Sequence, residues 1–346
     1  MTVSLLGLGC AVPPHVLPQA RAEDTARALL GPRYPEFERI APSFAASGVK
    51  TRYCVVPIDW FGHDKRWTDR NTAYLDGATA LFTRAARAAL ADAGLRAEQI
   101  DTVVTVSTTG IATPSLDARA HAEIGFRPDI QRVPVFGLGC AGGVSGLALA
   151  RQLALAAPGS NVLMVAVETC SLSFRTDRMQ KADIIATVLF GDGAAAAVVS
   201  TDGNGPQVGV GQQVLWPDTL QIMGWDVDDT GLGVVFDRSI PGFVTDHFAR
   251  AAGQALAATD LTAAQIDRFV CHPGGAKVLT AIEAAMGLPD GSLGAERATL
   301  RDFGNMSAPT VLFVLKHVLD SGASGQMMLA ALGPGFTASF LPVCVP

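Results

Sequence analysis

The sequence predicts an α/β protein built from two similar halves, and three observations carry that prediction. Apolar runs of strand length alternate with segments of helical spacing along the whole chain. A cluster of turn formers, "TDGNGP" at 201–206, interrupts the alternation near the middle. After it the strand–helix order starts again, which sets the halves at 1–201 and 202–346. With 346 residues, 49% of them hydrophobic, the chain has ample apolar material for a sizeable core.

In the first half, residues 2–8 read as a strand. "TAYLDGATALFTRAARAALADAG" (72–94) puts Tyr74, Leu75, Ala78, Phe82, Ala85 and Ala89 at helical spacing, and Gly94 supplies a stop. "DTVVTVST" (101–108) is a buried strand, Pro114 opens a helix, and "RVPVF" (132–136) is the next strand. A helix follows Cys140, then the strand "NVLMVAVE" (161–168), and "LFGDGAAAAVVS" (189–200) is a glycine turn feeding another strand. The second half predicts a helix near 242–258, a strand at 268–272 and helices at 276–286 and 307–321. The strands "QMMLAAL" (326–332) and "FTASFLPV" (336–343) close the chain.

Bulk properties narrow the function. The net charge is −6 and no basic run is available to neutralise phosphates, which argues against nucleic acid as a partner. No apolar run reaches the length of about 20 residues that a membrane-spanning helix needs. The N-terminus lacks the charged region of a secretory signal. Cys10, Cys54, Cys140, Cys170, Cys271 and Cys344 are scattered without C-x-x-C spacing, against both structural zinc and a disulfide framework. A reduced, cytoplasmic enzyme without a metal fits best. Charged residues make up only 17%, below the roughly 25% of ordinary soluble domains, which suggests surface buried between subunits.

Three polar residues interrupt apolar elements. Cys140 sits in "VFGLGCAGGVSGLALA", between a strand and a helix. A helix N-terminus offers unpaired N–H groups that stabilise a thiolate and lower its pKa. The same stretch spells G-x-G-x-x-G over Gly137, Gly139 and Gly142, and the strand after the helix ends in Glu168, the layout of a dinucleotide-binding loop. A buried free cysteine is more ordinarily a small core side chain. His272, in "FVCHPGGAKVL", ends a strand, where open α/β sheets place ligands, although a lone histidine there is more often structural. Asn305, in "RDFGNMSAPTVLFVL", precedes an apolar helix, where Asn and Ser are ordinary caps. Taken together they form a nucleophile, a histidine able to polarise it, and a neutral amide donor suited to an oxyanion or enolate.

With those residues in view, "GLGCAGG", "CHPGG", "GNMSA" and "ALGPGF", in this order, resemble the type III polyketide synthases, the chalcone-synthase-like branch of the thiolase superfamily. "LFGDGAAAAVV" fits as well, and "ETCSLSFR" (168–175) resembles bacterial members. The related carrier-protein-dependent ketosynthase III enzymes usually follow the histidine with Gln-Ala-Asn, whereas here Pro273, Gly274 and Gly275 follow it and Met306 follows Asn305.

The resemblance implies a five-layered αβαβα thiolase-like fold of two pseudo-duplicated halves and no added cofactor. Cys140 would carry an acyl starter delivered by acyl-CoA, and His272 and Asn305 would hold the malonyl-CoA thioester during decarboxylation. Iterative condensation would end in cyclisation to a pyrone, resorcinol or related phenolic. The alternative is a single condensation on an acyl carrier protein. Phe190 matches one gatekeeper, and the second falls on Val234, with Phe236 as its substitute. Thr108, Thr109, Thr113, Cys170, Ser173, Ser307 and Gly335 match cavity positions. Of the basic residues that meet the CoA phosphates only Arg39 is retained; two others fall on Pro42 and Ala46, with Lys50 and Arg52 near enough to replace them. A homodimer is implied too, with Thr113 near the partner's cavity.

Overall fold

The structure, a computed structural model, describes residues 1–178 and 180–346. The first half begins with β1 (Val3–Ala11), a hairpin strand β2 (His15–Pro18), α1 (Gln19–Leu30) and the short helices α2 (Phe37–Ile40) and α3 (Pro42–Ala46). Then come β3 (Thr51–Cys54), which pairs with β2, and α4 (Trp67–Ala93). The α4 stripe buries Tyr74, Ala78, Phe82, Ala85 and Ala89 as the sequence spacing predicts, while Leu75 is only half-buried and Leu81 is buried as well, and the helix stops before Gly94 as expected.

Next are β4 (Thr102–Val106), α5 (Leu116–Ile124), β5 (Gln131–Val135), α6 (Gly142–Ala156) and β6 (Asn161–Thr169). The half ends with α7 (Lys181–Leu189) and β7 (Asp192–Ser200). Its strands lie in the order β5-β4-β6-β7-β1, with β4 parallel to both neighbours.

After the turn at 201–206, β8 (Gln207–Val208) bridges β1 to the last strand, and β9 (Gln212–Leu215) follows. A separate hairpin joins β10 (Met223–Val227) to β11 (Leu232–Phe236). Then come α8 (Ile240–Ala257), β12 (Arg268–Cys271), α9 (Ala276–Ala285), α10 (Gly294–Phe303) and α11 (Thr310–Asp320). The chain closes with β13 (Gly325–Gly333) and β14 (Thr337–Val345). The expected helix at 307–321 starts three residues late, because Ser307 takes a left-handed φ of 59° and Pro309 opens the helix. Helices α7 and α10 and the β10–β11 hairpin went unread in the sequence.

The layering is αβαβα. α4 and α5 cover the outer face of the first half-sheet, α8 and α9 that of the second, and α6 and α11 fill the space between. Both central helices are apolar nearly all round, as double burial requires. Fully buried side chains such as Leu147, Val311 and Leu312 contribute about 1.5–3 kcal/mol each. α6 can sit this deep because its first two residues, Gly142 and Gly143, have no side chains. A Cβ on Gly143 would lie 2.2 Å from the Ala308 carbonyl oxygen. That contact brings the start of α6 against the loop that carries Asn305. Among the described residues no helix is long and apolar enough to cross a membrane, and all six cysteines are free.

Candidate active site

Cys140 occupies a single 3-10 turn, Gly139–Ala141, immediately before α6. The end of β13 braces this turn: a Cβ on Gly333 would lie 2.6 Å from the Leu138 carbonyl and 2.7 Å from Ala141. The same strand holds the histidine, since the His272 N–H donates to the Ala330 carbonyl at 2.8 Å. His272 stands just past β12, and the carbonyl of His272 accepts the Gly274 N–H at 3.0 Å. One short stretch of β13 thus fixes both the nucleophile turn and the histidine.

Asn305 arrives from the other side. Its backbone bridges the end of α7, with its N–H donating to the Leu189 carbonyl at 2.8 Å and its carbonyl accepting the Gly191 N–H at 3.0 Å. Its side-chain Oδ1 accepts the Ser307 N–H at 2.8 Å, which fixes the amide's orientation, and Nδ2 donates to the Gly274 carbonyl at 3.2 Å. Ser307 shares the cavity lining with Cys140 and lowers its thiol pKa. Hydrogen bonds link Ser307, Asn305 and Gly274 to the backbone carbonyl of His272. Neither ring nitrogen of His272 has a partner among the described residues, although the side chain is buried. An imidazole placed so is waiting for a ligand or a proton.

Burial controls the resting charges. It pushes the Cys140 thiol up to about 12 and His272 down to about 3. Ser307 and the helix N–H pull the thiol down, but less than burial lifts it. This corrects the expectation of a depressed cysteine pKa: dehydration outweighs the helix terminus. Burial thus favours the uncharged form of both groups.

Cys140 and Ser307 line a half-open cavity with about 40 Å³ of water-accessible space, walled by Cys170, Phe190, Trp225, Val234 and Phe236. Asn305 and His272 are not among its lining residues. Both expected gatekeeper positions, Phe190 and Val234, face the cavity, and so does the substitute Phe236. A second apolar cavity, which shares Cys170 and Phe190 with the first, is bordered by Ser173, whose hydroxyl donates to the Cys170 carbonyl at 2.7 Å. Cys170 is fully buried and its thiol is held well above its ordinary pKa, first by desolvation, so it is an inert wall group.

Other positions lie elsewhere. Thr108 and Thr109 are turned to Glu168: the Thr108 N–H donates to Glu168 Oε2 at 2.9 Å and the Thr109 hydroxyl at 2.7 Å. They support the Cys140 turn instead of lining the cavity, for Thr108 Oγ1 also accepts the Gly139 N–H at 3.3 Å. Thr113 is exposed, outside the cavity. Gly335 lies in the β13–β14 turn, where its carbonyl accepts the Thr219 hydroxyl at 3.0 Å, and its neighbour Pro334 makes the cavity contact. Arg39 is exposed and paired with Glu36 at 3.2 Å, and Lys50 is exposed. Arg52 is only 3% exposed, which corrects its assignment to the CoA phosphates.

Sequence reasoning missed Glu168, the carboxylate that holds Thr108 and Thr109, and one cavity residue, Trp225. Glu168 was noticed only as the end of a dinucleotide layout. It is fully buried with one unpartnered oxygen, and burial raises its carboxyl to about 7. Its signal was an acidic residue closing a nine-residue apolar strand. Trp225, on β10, sets its edge against Phe190 with ring centroids 6.2 Å apart, and nothing local in "MGWDV" announced it. Among the described residues no group of three or more His, Cys, Asp or Glu side chains could hold a metal ion.

Comparison with known proteins agrees with this architecture. The family profile for the N-terminal domain of chalcone and stilbene synthases matches residues 2–203, and that for the C-terminal domain matches 207–343. A 1,3,6,8-tetrahydroxynaphthalene synthase from Streptomyces peucetius subsp. caesius is 37% identical over 98% of this chain and 92% of its own length. A putative chalcone synthase of Bacillus subtilis is 33% identical over 97% of each chain. The crystal structure of 1,3,6,8-tetrahydroxynaphthalene synthase from Streptomyces coelicolor A3(2), a bacterial type III polyketide synthase, superposes with a TM-score of 0.93 at 30% identity, covering 99% of both chains. The chain is a condensing enzyme of the type III polyketide synthase family, with the thiolase fold.

Proposed function

We propose that this protein loads an acyl group from acyl-CoA onto Cys140, extends it repeatedly with malonyl-CoA and cyclises the chain to a phenolic product. The observation that carries the reading is the placement of Cys140 and Ser307 on one cavity, with the Asn305 amide fixed by the Ser307 N–H and tied through Gly274 to the backbone of His272. In loading, Cys140 gives its proton to His272, the thiolate attacks the acyl-CoA carbonyl, and the departing CoA thiolate takes that proton back. The neutral imidazole and the spare N–H of Asn305 then hold the malonyl thioester oxygen. Loss of CO2 leaves an enolate stabilised by those two donors, and its carbon attacks the acyl–Cys140 carbonyl. The Cys140 thiolate leaves as the chain, two carbons longer, passes to CoA, and the next loading returns it to Cys140. Removing one such donor typically costs about 2.7–4 kcal/mol of barrier.

Phe190 and Val234 act as the gate on the CoA side, and Arg39 and Lys50 meet the CoA phosphates at the exposed mouth. The catalytic division follows the halves, with the nucleophile in 1–201 and the two donors in 202–346. A homodimer completes the particle: β5 is one of the two end strands of the sheet, Phe136 just past it is 66% exposed, and Ile111 is 54% exposed. The reaction belongs in the cytoplasm, where CoA thioesters are made. The phenolic product class is supported by two relatives, the tetrahydroxynaphthalene synthase and a phloroglucinol synthase of Pseudomonas fluorescens that is 28% identical. Product masses from malonyl-CoA with a panel of acyl-CoA starters test the proposal. Aromatic products containing two or more added two-carbon units are expected. A single added unit, formed only with an acyl carrier protein, would contradict it.

A further inference from the structure

The last turn of α7 carries both Phe190 and the backbone bridge to Asn305, and its carbonyls have no helical partners of their own. All four are taken by other groups. The Leu189 carbonyl accepts the Asn305 N–H at 2.8 Å. The Thr187 and Phe190 carbonyls both accept from Arg52 Nη1, the latter at 2.9 Å. The Val188 carbonyl accepts Gln19 Nε2 at 2.9 Å, and Gln19 Oε1 accepts Arg52 Nη2 at 2.6 Å. Gln19 is itself anchored to the Phe44 carbonyl at 3.3 Å and Ser47 Oγ at 3.1 Å.

Arg52 is buried and, among the described residues, hydrogen-bonds no carboxylate, with Asp192 acting on it only through space, an arrangement that normally costs several kcal/mol. Here the carbonyl ends of a helix, where a cation is favoured, take the place of the carboxylate. The space is built around it as well. A Cβ on Gly191 would lie 3.1 Å from Arg52 Cβ, and one on Gly304 would lie 3.4 Å from it. Those two glycines flank Phe190 and Asn305 on either strand of the bridge, so the stem of Arg52 runs directly beneath it. Burial lowers its pKa to about 10, and it remains charged near neutrality.

We propose that Arg52, braced by Gln19, is a positioning residue that sets the Asn305 amide and the Phe190 ring through the end of α7. It touches no substrate. The proposal rests on the decarboxylating role of Asn305 given above. It separates the two half-reactions, because loading uses Cys140 and His272 whereas decarboxylation also needs Asn305. A lysine cannot replace the fork, since one ammonium does not span two carbonyls and a side-chain amide.

The test measures, on the full chain, the rate of acyl–Cys140 formation and the rate of CO2 release from malonyl-CoA. Arg52→Lys should slow CO2 release by about tenfold or more while loading stays within about threefold, with the loss in kcat and not in KM. Gln19→Met, which keeps the stem and removes the amide, should show the same split at about two- to fivefold, and it carries the test if Arg52→Lys does not fold. Equal loss of both steps, or loss of neither, overturns the positioning role. Wild-type protein that releases no CO2 from malonyl-CoA overturns instead the reading on which the role rests.

Discussion

The floor and the wall of the catalytic cavity are built in opposite ways. On the floor, the backbone of His272 is tied to β13 and that of Asn305 to the end of α7, and the side chains of Cys140, His272 and Asn305 are buried. The wall is the β10–β11 hairpin, which stands outside the main sheet. It presents Trp225, Val234 and Phe236 to the cavity and is fastened largely at the surface. Arg178 pairs with Asp226 at 2.8 Å, and Arg175 with Asp228 at 2.7 Å, where the carboxylates are 63% and 43% exposed. The guanidiniums are largely buried, Arg178 at 14% and Arg175 at 4% exposed, so only the carboxylate side of each pair is open to water and screened by it. The chemistry is thus held rigidly, while the surface that meets the acyl chain is held loosely enough to vary.

The comparison breaks first at the floor. Asn305→Ala should lower CO2 release from malonyl-CoA by about 100- to 1000-fold, since it deletes one of two enolate donors. Single-turnover kinetics with loading measured in parallel would show whether the loss is confined to that step. Gly143→Ala should destabilise the fold by about 1–3 kcal/mol, because a methyl group there meets the Ala308 carbonyl. Denaturant unfolding checks this, and an unchanged midpoint would mean that the floor is softer than described.

The wall should respond in selectivity instead. Trp225→Ala removes the ring set against Phe190 and should raise kcat/KM for bulkier starters over short ones by about tenfold. If the starter profile stays the same, the hairpin does not select. A pH scan sharpens the floor further. Burial raises Glu168 to about 7, above its ordinary range, so the folded state holds that proton to higher pH than the unfolded chain. The stability it contributes is full below about pH 4.5 and is lost as pH rises through about 7. Glu168→Gln, neutral throughout, should show a smaller decline in melting temperature over that window. The smallest effect belongs to the latch: Asp226→Asn with Asp228→Asn should cost about 1 kcal/mol or less, and less still in high salt.

That contrast also explains what could be read from the sequence. Cys140, His272 and Asn305 were legible because each interrupts an apolar element at its end, and glycine turns mark where such ends approach one another. The halves were legible from the strand–helix alternation and the turn at 201–206. The hairpin wall was not, because Trp225 and Val234 face the cavity only through the hairpin's placement against α7, a long-range contact that leaves no local pattern. Arg52 shows the same limit from the other side. A lone arginine beside an exposed lysine looks like a phosphate contact, and only the fold turns it inward to cap α7. The thiol pKa was misread for a related reason, since a helix N-terminus can be seen in sequence and the depth of its burial cannot.

The most direct test of the account is the intact mass of wild type, Cys140→Ala and Asn305→Ala after mixing with an acyl-CoA and then malonyl-CoA, with CO2 followed in parallel. The account predicts an acyl adduct on wild type that is consumed as CO2 appears, an adduct on Asn305→Ala that persists without CO2, and none on Cys140→Ala. An adduct of equal size on Cys140→Ala, or rapid CO2 release by Asn305→Ala, would contradict it.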